Sequence, residues 1–430
     1  MNTPTAFKRS ASSILNRRLS PPRLEKTTPA VNQPTEKFEA ARDKESSSTN
    51  IWKIVALGGL AVGALTGCTD SAPDPVVELS GAQVTDLEGH TLYADEGVDL
   101  TKDGTYVVGT NRGLRQGQIG EGNVQITHEG RTLYADEGIS LNDGKQFVAG
   151  TNRGILVGTL DGESHMLTVN GRTAYADEGS SINEKGQFIV GTNRGVVIGT
   201  VGQDQARVLE ISGRTAYTDE GMSINEEGQF IVGTNRGILI GDVDDGSVQI
   251  LTNVDGRTLY SDEGNDINNS GQFIVGTNYG LALGNVNDGS LRMLKTGGRQ
   301  LYSDDGMDIN DKGQIVAGSN HGLFKTDYDS EDVTILKVND KTLYSDDGID
   351  DEDDEDPEWI DNLGVHLNET GDFLAGSNRG WAVGNVANEE IHLLEHQGKR
   401  LYPDDGGQLA EDGRYIIGTN RGIFEGDLTP

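Results

Sequence analysis

Residues 221–237 read GMSINEEGQFIVGTNRG, and this stretch decides the architecture because it recurs, with small edits, eight times. Each copy follows a Tyr-x-Asp-acid-Gly lead, whose tyrosines are Tyr93, Tyr134, Tyr175, Tyr217, Tyr260, Tyr302, Tyr344 and Tyr402. Their spacings are 41, 41, 42, 43, 42, 42 and 58 residues. A nearly constant period of this size is what a chain of stacked supersecondary units produces.

Within each unit the run Gly-Gln-Phe-Ile-Val-Gly-Thr, or a near relative, is short, apolar and bounded by glycine, which suits a strand covered on both faces. No segment sustains a 3.6-residue period, and the glycines fall where turns belong. The fourth unit parses into strands at 222–225, 229–233, 238–243 and 248–251, with turns at 226–228, 234–237 and 244–246. The chain then crosses through GRTLYSDEG (256–264) into the next unit. The expected fold is all-β, an eight-bladed β-propeller of four-stranded blades spanning residues 76–430, about 42 residues to a blade. The last unit lacks an outer strand, and residues 76–84 (VVELSGAQV) have no blade of their own. These residues are expected to supply that strand to the eighth blade, so that no long edge stays open.

Composition agrees with turn-rich β structure: 430 residues include 60 glycines, and 34% are hydrophobic. A net charge of −34 and an isoelectric point near 4.4 exclude binding to the nucleic-acid backbone. A single cysteine excludes an intrachain disulfide.

Residues 1–53 carry ten Lys or Arg against five Asp or Glu and little apolar material, so a disordered basic leader is expected. Residues 54–67 (IVALGGLAVGALTG) are apolar but short for a membrane span, as suits the core of a signal peptide. Leu65-Thr66-Gly67-Cys68 resembles a bacterial lipobox. That resemblance implies lipidation of Cys68, a tether at 69–75, and membrane attachment through the lipid. It also implies a lipoprotein of the bacterial cell envelope, facing the periplasm or exterior. Thr69 in the following position resembles lipoproteins sent to the outer membrane, whereas the long leader departs from the usual pattern.

The phrase I-N-x-x-G-Q-F-I-V-G-T-N-x-G-[IL] resembles the two-component-regulator propeller repeat over about twenty residues of each unit. Phe, Tyr or Ile stands where that family carries Trp. The resemblance implies the fold and says little about signalling.

Eight acidic pairs precede the repeated glycine: Asp95-Glu96, Asp136-Glu137, Asp177-Glu178, Asp219-Glu220, Asp262-Glu263, Asp304-Asp305, Asp346-Asp347 and Asp404-Asp405. They are expected at the entry to the innermost strand. The Thr-Asn-Arg-Gly loop ends the second strand, so both emerge on one face of the disc. Arg112, Arg153, Arg194, Arg236, Arg379 and Arg421 are the expected ion-pair partners, with Tyr279 and His321 replacing arginine in units five and six. Sixteen carboxylates against six arginines leave a negative rim, which is the candidate face for a ligand or cation. Calcium is the candidate ion because it takes six to eight oxygens, yet no unit has the spaced Asp-x-Asp-x-Asp-Gly loop. No cofactor is identified.

The seventh unit carries 16 extra residues, IDDEDDEDPEWIDNLG at 349–364, nine of them acidic. Asp351, Asp353, Asp354, Asp356 and Trp359 are its candidate binding residues, on a loop expected to project from the acidic face. The seven histidines are scattered and form no metal-ligand motif, and neither a nucleophile elbow nor a phosphate loop is present. No catalytic residue is expected, and the repeated tyrosines are read as inter-blade packing.

Three function classes follow. The favoured one is a lipid-anchored, monomeric, non-enzymatic binding or scaffold module that engages an envelope protein or a cationic ligand. It is similar in architecture to the eight-bladed propeller lipoprotein of the outer-membrane β-barrel assembly machinery. The second is a protein that binds divalent cations or cationic ligands on the acidic face. The third, a propeller enzyme of quinoprotein or lyase type, ranks last because tryptophan-rich docking motifs are missing.

Overall fold

The computed structural model describes residues 73–79, 81–203, 206–252, 256–345, 364–388 and 390–428. Cys68, the basic leader and most of the seventh-unit insert (349–363) lie outside the described residues. The described chain forms an eight-bladed β-propeller, each blade an antiparallel sheet running from an inner to an outer strand. In the fourth blade the strands are Thr218–Ile224, Gln229–Thr234, Leu239–Asp242 and Val248–Ile250. The expected strands are present, and the inner one begins four residues earlier to take in the acidic pair.

The core lies between blades rather than within them. Ile189, Val196 and Ile198 of the third blade pack with Ile224, Phe230 and Val232 of the fourth. Ile231, the residue between those last two, packs instead with Ile267 and Phe273 of the fifth. Successive side chains of a strand point to opposite faces, so one second strand feeds two interfaces and must be apolar throughout.

Opposite the second-strand aromatic sits a third-strand glycine, and the pair is a steric unit. Phe188 faces Gly199, Phe230 faces Gly241 and Phe273 faces Gly284. A Cβ on these glycines would lie 2.5, 2.5 and 2.3 Å from the ring. The sixth blade confirms the coupling, because Ile315 replaces the aromatic there and Thr326 replaces the glycine opposite.

A carboxamide belt ties neighbouring blades together. Nδ2 of Asn142, Asn183, Asn225, Asn268 and Asn310 donates to the carbonyl of the equivalent asparagine in the next blade, at 2.8 to 3.0 Å. Oδ1 of the same side chain caps its own turn, as where Gln229 N donates to Asn225 at 2.9 Å. Asn368 continues the belt to Ala410 O at 3.2 Å, where it ends. Across the seam between the eighth and first blades, the Arg414 guanidinium donates instead to the carbonyls of Lys102 and Asp103.

Ring closure follows the expectation in part of the predicted segment. Ala82–Gln83 pair antiparallel with Phe424 and Glu425, giving the eighth blade its outer strand. Val76–Glu78, however, pair in parallel with Leu393–Glu395 of the seventh blade. The nine-residue segment thus stitches two blades. It bends at Gly81, where a Cβ would lie 2.1 Å from the Glu425 carbonyl oxygen.

The crossings between blades hold small hairpins that the sequence reading passed over. Thr127–His128 pairs with Arg131–Thr132 around Glu129-Gly130, whose φ angles are 52° and 72°. Two positive values in a two-residue turn match the twist of the flanking strands, and Gly in the second place is the sequence signal.

The aromatic–glycine pairing predicts a compensated double mutant. Gly199→Thr alone should destabilise the protein by about 1–3 kcal/mol through overpacking, because Phe188 supplies the three atoms nearest to the added Cβ. Combined with Phe188→Ile it should recover part of that loss, as read by urea unfolding. Strict additivity of the two changes would contradict the pairing.

Candidate functional site

Each regular inner strand breaks its ladder at the acidic pair. In the first blade Ala94 pairs with Thr110 and Val98 with Val108, so three residues stand opposite Gly109 alone. In the fourth, residues 219–221 stand opposite Gly233 in the same way. The bulge turns the first acid's carbonyl onto that lone glycine. A Cβ on Gly109, Gly150, Gly191 or Gly418 would lie 1.8 to 1.9 Å from the carbonyl oxygen of Asp95, Asp136, Asp177 or Asp404. This is why Gly precedes Thr in the repeated Gly-Thr-Asn phrase.

The second acid takes a left-handed conformation. φ is 62° at Glu96, 60° at Glu137, 65° at Glu178, 60° at Glu263 and 54° at Asp405. Such a φ costs a residue other than glycine about 1–2 kcal/mol, least for Asn and Asp. The glycine that follows is also left-handed and forms a collar. A Cβ on Gly138 or Gly221 would lie 2.8 Å from Cα of Gly179 or Gly264 in the next blade. Above the collar, the carboxylates of the second acids line a cavity of about 410 Å³ at the mouth of the central channel.

Crowding changes these carboxylates. Partial desolvation first, and then the charges of Glu96, Glu178, Asp136 and Asp177, push Glu137 up to about 6. Desolvation, followed by Asp404, Glu96 and Asp95, pushes Asp405 up to about 7. Asp95 and Asp404 are raised as well, mainly by burial. Deeper in the channel, burial raises Asp99 to about 7 and also raises Asp266 and Asp308. These three accept hydrogen bonds from Leu141 N, Ile309 N and Leu367 N of the following blades, at 2.7, 3.0 and 2.7 Å. They cap the free inner edge, which is a structural role.

Four of the six repeated arginines turn elsewhere than to the acidic pairs. Arg112 pairs with Asp86 at 3.4 Å and Arg379 with Asp74 at 2.7 Å, neither a member of the acidic pairs. Nε of Arg194 and of Arg236 donates to the carbonyls of Thr173 and Thr215 in the adjoining crossings. The Asn of the same loop does cap its turn. Asn111 N donates to Tyr93 O at 3.1 Å, and its Oδ1 accepts from Tyr93 N at 3.4 Å. This backbone exchange, rather than ring packing, is what the repeated tyrosines contribute, for their side chains remain 37% to 44% exposed.

In the seventh blade the described part of the inner strand is Val365–Leu367, and Gly364 takes the collar position, with Gly376 N donating to its carbonyl at 3.0 Å. Ser345 and Gly364 therefore flank the insertion, and Asp346, Asp347 and the candidate residues Asp351, Asp353, Asp354, Asp356 and Trp359 lie outside the described residues. The side chains of Glu220, Asp262 and Asp305 do so too.

One residue at the mouth carries no sequence signal of its own. Asn265 follows the collar glycine of the fifth blade and is 9% exposed. Both polar atoms of its carboxamide lack a hydrogen-bond partner. Leaving such a group buried and unpaired costs about 1–3 kcal/mol. Only comparison of that position across the blades finds it, since Val98, Ile139, Met222, Met307 and Val365 occupy it in five blades, with Ser180 and Gly407 in the other two.

Among the described residues, one cluster brings three carboxylate or imidazole ligands together, namely Asp86, Glu88 and His90. Its central carboxylate is already engaged by the backbone N–H groups of Glu88 and His90, both at 2.9 Å, and by Arg112.

No known family's sequence profile matches the chain, and no curated protein is significantly similar to it. The chain is similar to the solved structure of U3-55K, with 11% identity, 71% of this chain and 98% of the other covered, and a TM-score of 0.49. It is similar to the extracellular domain of the hybrid two component system BT4673 from B. thetaiotaomicron, with 13% identity, 83% and 47% coverage, and a TM-score of 0.46. The RRP9 WD40 repeats match at 11% identity, 81% and 92% coverage, and a TM-score of 0.46. The propeller rests on the strand pairing itself, and function has to be argued from the site.

The raised carboxylates predict an inverted pH dependence. A carboxyl whose folded pKa lies above its unfolded value stabilises fully below the unfolded value and loses that contribution as pH rises through the folded one. For Glu137 and Asp405 the loss falls between about pH 4 and 7. The variant Glu137→Gln/Asp405→Asn should therefore melt above wild type at pH 8, with the gap closing by pH 5. His366, pushed down to about 4 by burial, acts in the opposite sense but is common to both proteins and cancels in the difference. A gap independent of pH would contradict the assignment.

Proposed function

We propose that this protein is a lipid-anchored β-propeller of the bacterial cell envelope that serves as a non-enzymatic binding module for cationic partners. The carboxylate-lined mouth forms the binding face. The observation that carries this reading is the residue choice at the left-handed position. Glycine or asparagine would fit that backbone at lower cost, yet Glu96, Glu137, Glu178 and Glu263 stand there, and the charges of Glu96 and Glu178 bear on Glu137. Backbone strain repeated at one mouth is an observation from which a functional role is inferred. Carboxylates gathered at one mouth suit the ammonium and guanidinium groups of lysine and arginine. The acidic insert, rooted between Ser345 and Gly364, adds its charges to this face and selects the partner. The lipobox-like Leu65-Thr66-Gly67-Cys68 supports attachment of the mature chain at Cys68.

One experiment tests both halves. Cells expressing wild type, Cys68→Ser or a deletion of residues 349–363 are labelled with a fatty-acid analogue, and the proteins are then captured on immobilised polylysine. Label should mark wild type and the deletion but not Cys68→Ser. Capture should weaken as salt rises, because exposed charges are screened over roughly 10 Å at 0.1 M ionic strength. The deletion should bind less while melting as wild type does. Equal label on Cys68→Ser would remove the anchor, and salt-independent capture would remove the face.

A further inference from the structure

The channel mouth presents three chemistries in sequence along the inner strands. The outer tier is carboxylate, represented by Glu137 and Asp405. One residue past the glycine collar comes a mainly apolar tier, with Val98, Ile139, Met222, Met307 and Val365 lining the same cavity beside Ser180 and Gly407. Set into that tier is Asn265, nine-tenths buried, with neither its Oδ1 nor its Nδ2 paired. Its neighbour across the blade boundary is Gly221, where a Cβ would lie 2.9 Å from Nδ2, so the carboxamide borders the cavity without a side chain between them.

We propose that the mouth is a binding site for an alkylammonium chain, with the carboxylates holding an ammonium group, the apolar tier contacting the methylenes and Asn265 Oδ1 accepting an N–H bond. This inference deepens the reading of the acidic face and rests on it. A bare metal ion fits poorly. Among the described residues, no three ring carboxylates bring ligand atoms within 4.8 Å of one another, whereas calcium takes six to eight oxygens. An ion would also gain nothing from Val98, Ile139, Met222 and Met307. A cavity of about 410 Å³ accommodates a short aliphatic amine, and binding pockets of about 300–1,000 Å³ are usual. The same chemistry is offered by a free linear polyamine and by a lysine side chain of a partner.

Calorimetry on the full chain at pH 7.5 and low salt tests the site with three separate probes: spermidine, Nα-acetyl-lysine N-methylamide and calcium chloride. The variants are Glu137→Gln and Asn265→Val, the latter placing the side chain already present at Val98 and Val365. Spermidine should bind wild type and lose about tenfold in affinity in each variant. Asn265→Val should melt at or above wild type, which separates lost binding from lost folding. Binding of spermidine alone identifies a free polyamine as the source, and binding of the lysine derivative as well identifies a lysine-bearing partner as a second source. Unchanged spermidine affinity in Asn265→Val, or displacement of spermidine by an equal concentration of calcium, would overturn the proposal. Absence of spermidine heat together with salt-sensitive polylysine capture would remove the mouth site and leave the acidic face standing. Absence of both would remove both.

Discussion

The left-handed acid–glycine step in each regular inner strand is the constraint on which the remaining geometry depends. The inner strands come closest at Gly138, Gly221 and Gly306 of the collar, while Gly97, Gly179, Gly264 and Gly406 have room beside them and are held to glycine by their positive φ. There a Cβ on Gly138 or Gly221 would collide with the next blade's backbone. Glycine satisfies the collar, and the residue before it must turn left-handed to reach it. The turn sends the first acid's carbonyl back onto the lone glycine of the second strand, and it sends the second acid's carboxylate over the channel. The glycine of Gly-Thr-Asn, the collar glycine and the carboxylate ring are therefore consequences of one backbone event. In the seventh blade Gly364 stands at the collar, with Gly376 N donating to its carbonyl at 3.0 Å.

What holds the ring together is largely separate from what decorates its mouth. Apolar clusters bridge each blade to the next, and buried asparagines pass a hydrogen bond from Asn142 around to Ala410. Buried hydrogen bonds of this kind add modest net energy but are costly to leave unmade, so they fix register between blades. Neither system uses the carboxylates of Glu137, Glu263 or Asp405. All three stand on left-handed backbone, and Glu137 and Asp405 also meet like charges, which is the ground for the binding role proposed for them.

Much of the fold was legible in the sequence because repetition averages out the ambiguity of any single apolar run. Eight copies of one phrase gave the strand boundaries of the fourth blade to within a few residues, except where the bulge lengthened the inner strand. The closing strand was legible as Ala82–Gln83, but the parallel pairing of Val76–Glu78 was not, since no local pattern distinguishes one blade's edge from its neighbour's. Arg112, Arg194, Arg236 and Arg379 find other partners than the acidic pairs for a related reason. Adjacency of two loops on one face does not say which way a long side chain turns, and Arg194 and Arg236 find carbonyls in the preceding crossing. The mouth's acidity was visible, whereas its left-handed backbone and the unpaired Asn265 depend on three-dimensional contacts that no motif encodes.

The central claim is that the carboxylate ring serves a ligand at some expense to the fold. Urea unfolding of the triple variant Glu137→Asn/Glu263→Asn/Asp405→Asn at pH 7.5 tests it most directly. Asparagine tolerates the left-handed backbone and carries no charge, so the unfolding midpoint should equal or exceed that of wild type. A midpoint well below wild type would mean that the carboxylates hold the ring together, and the account would be wrong.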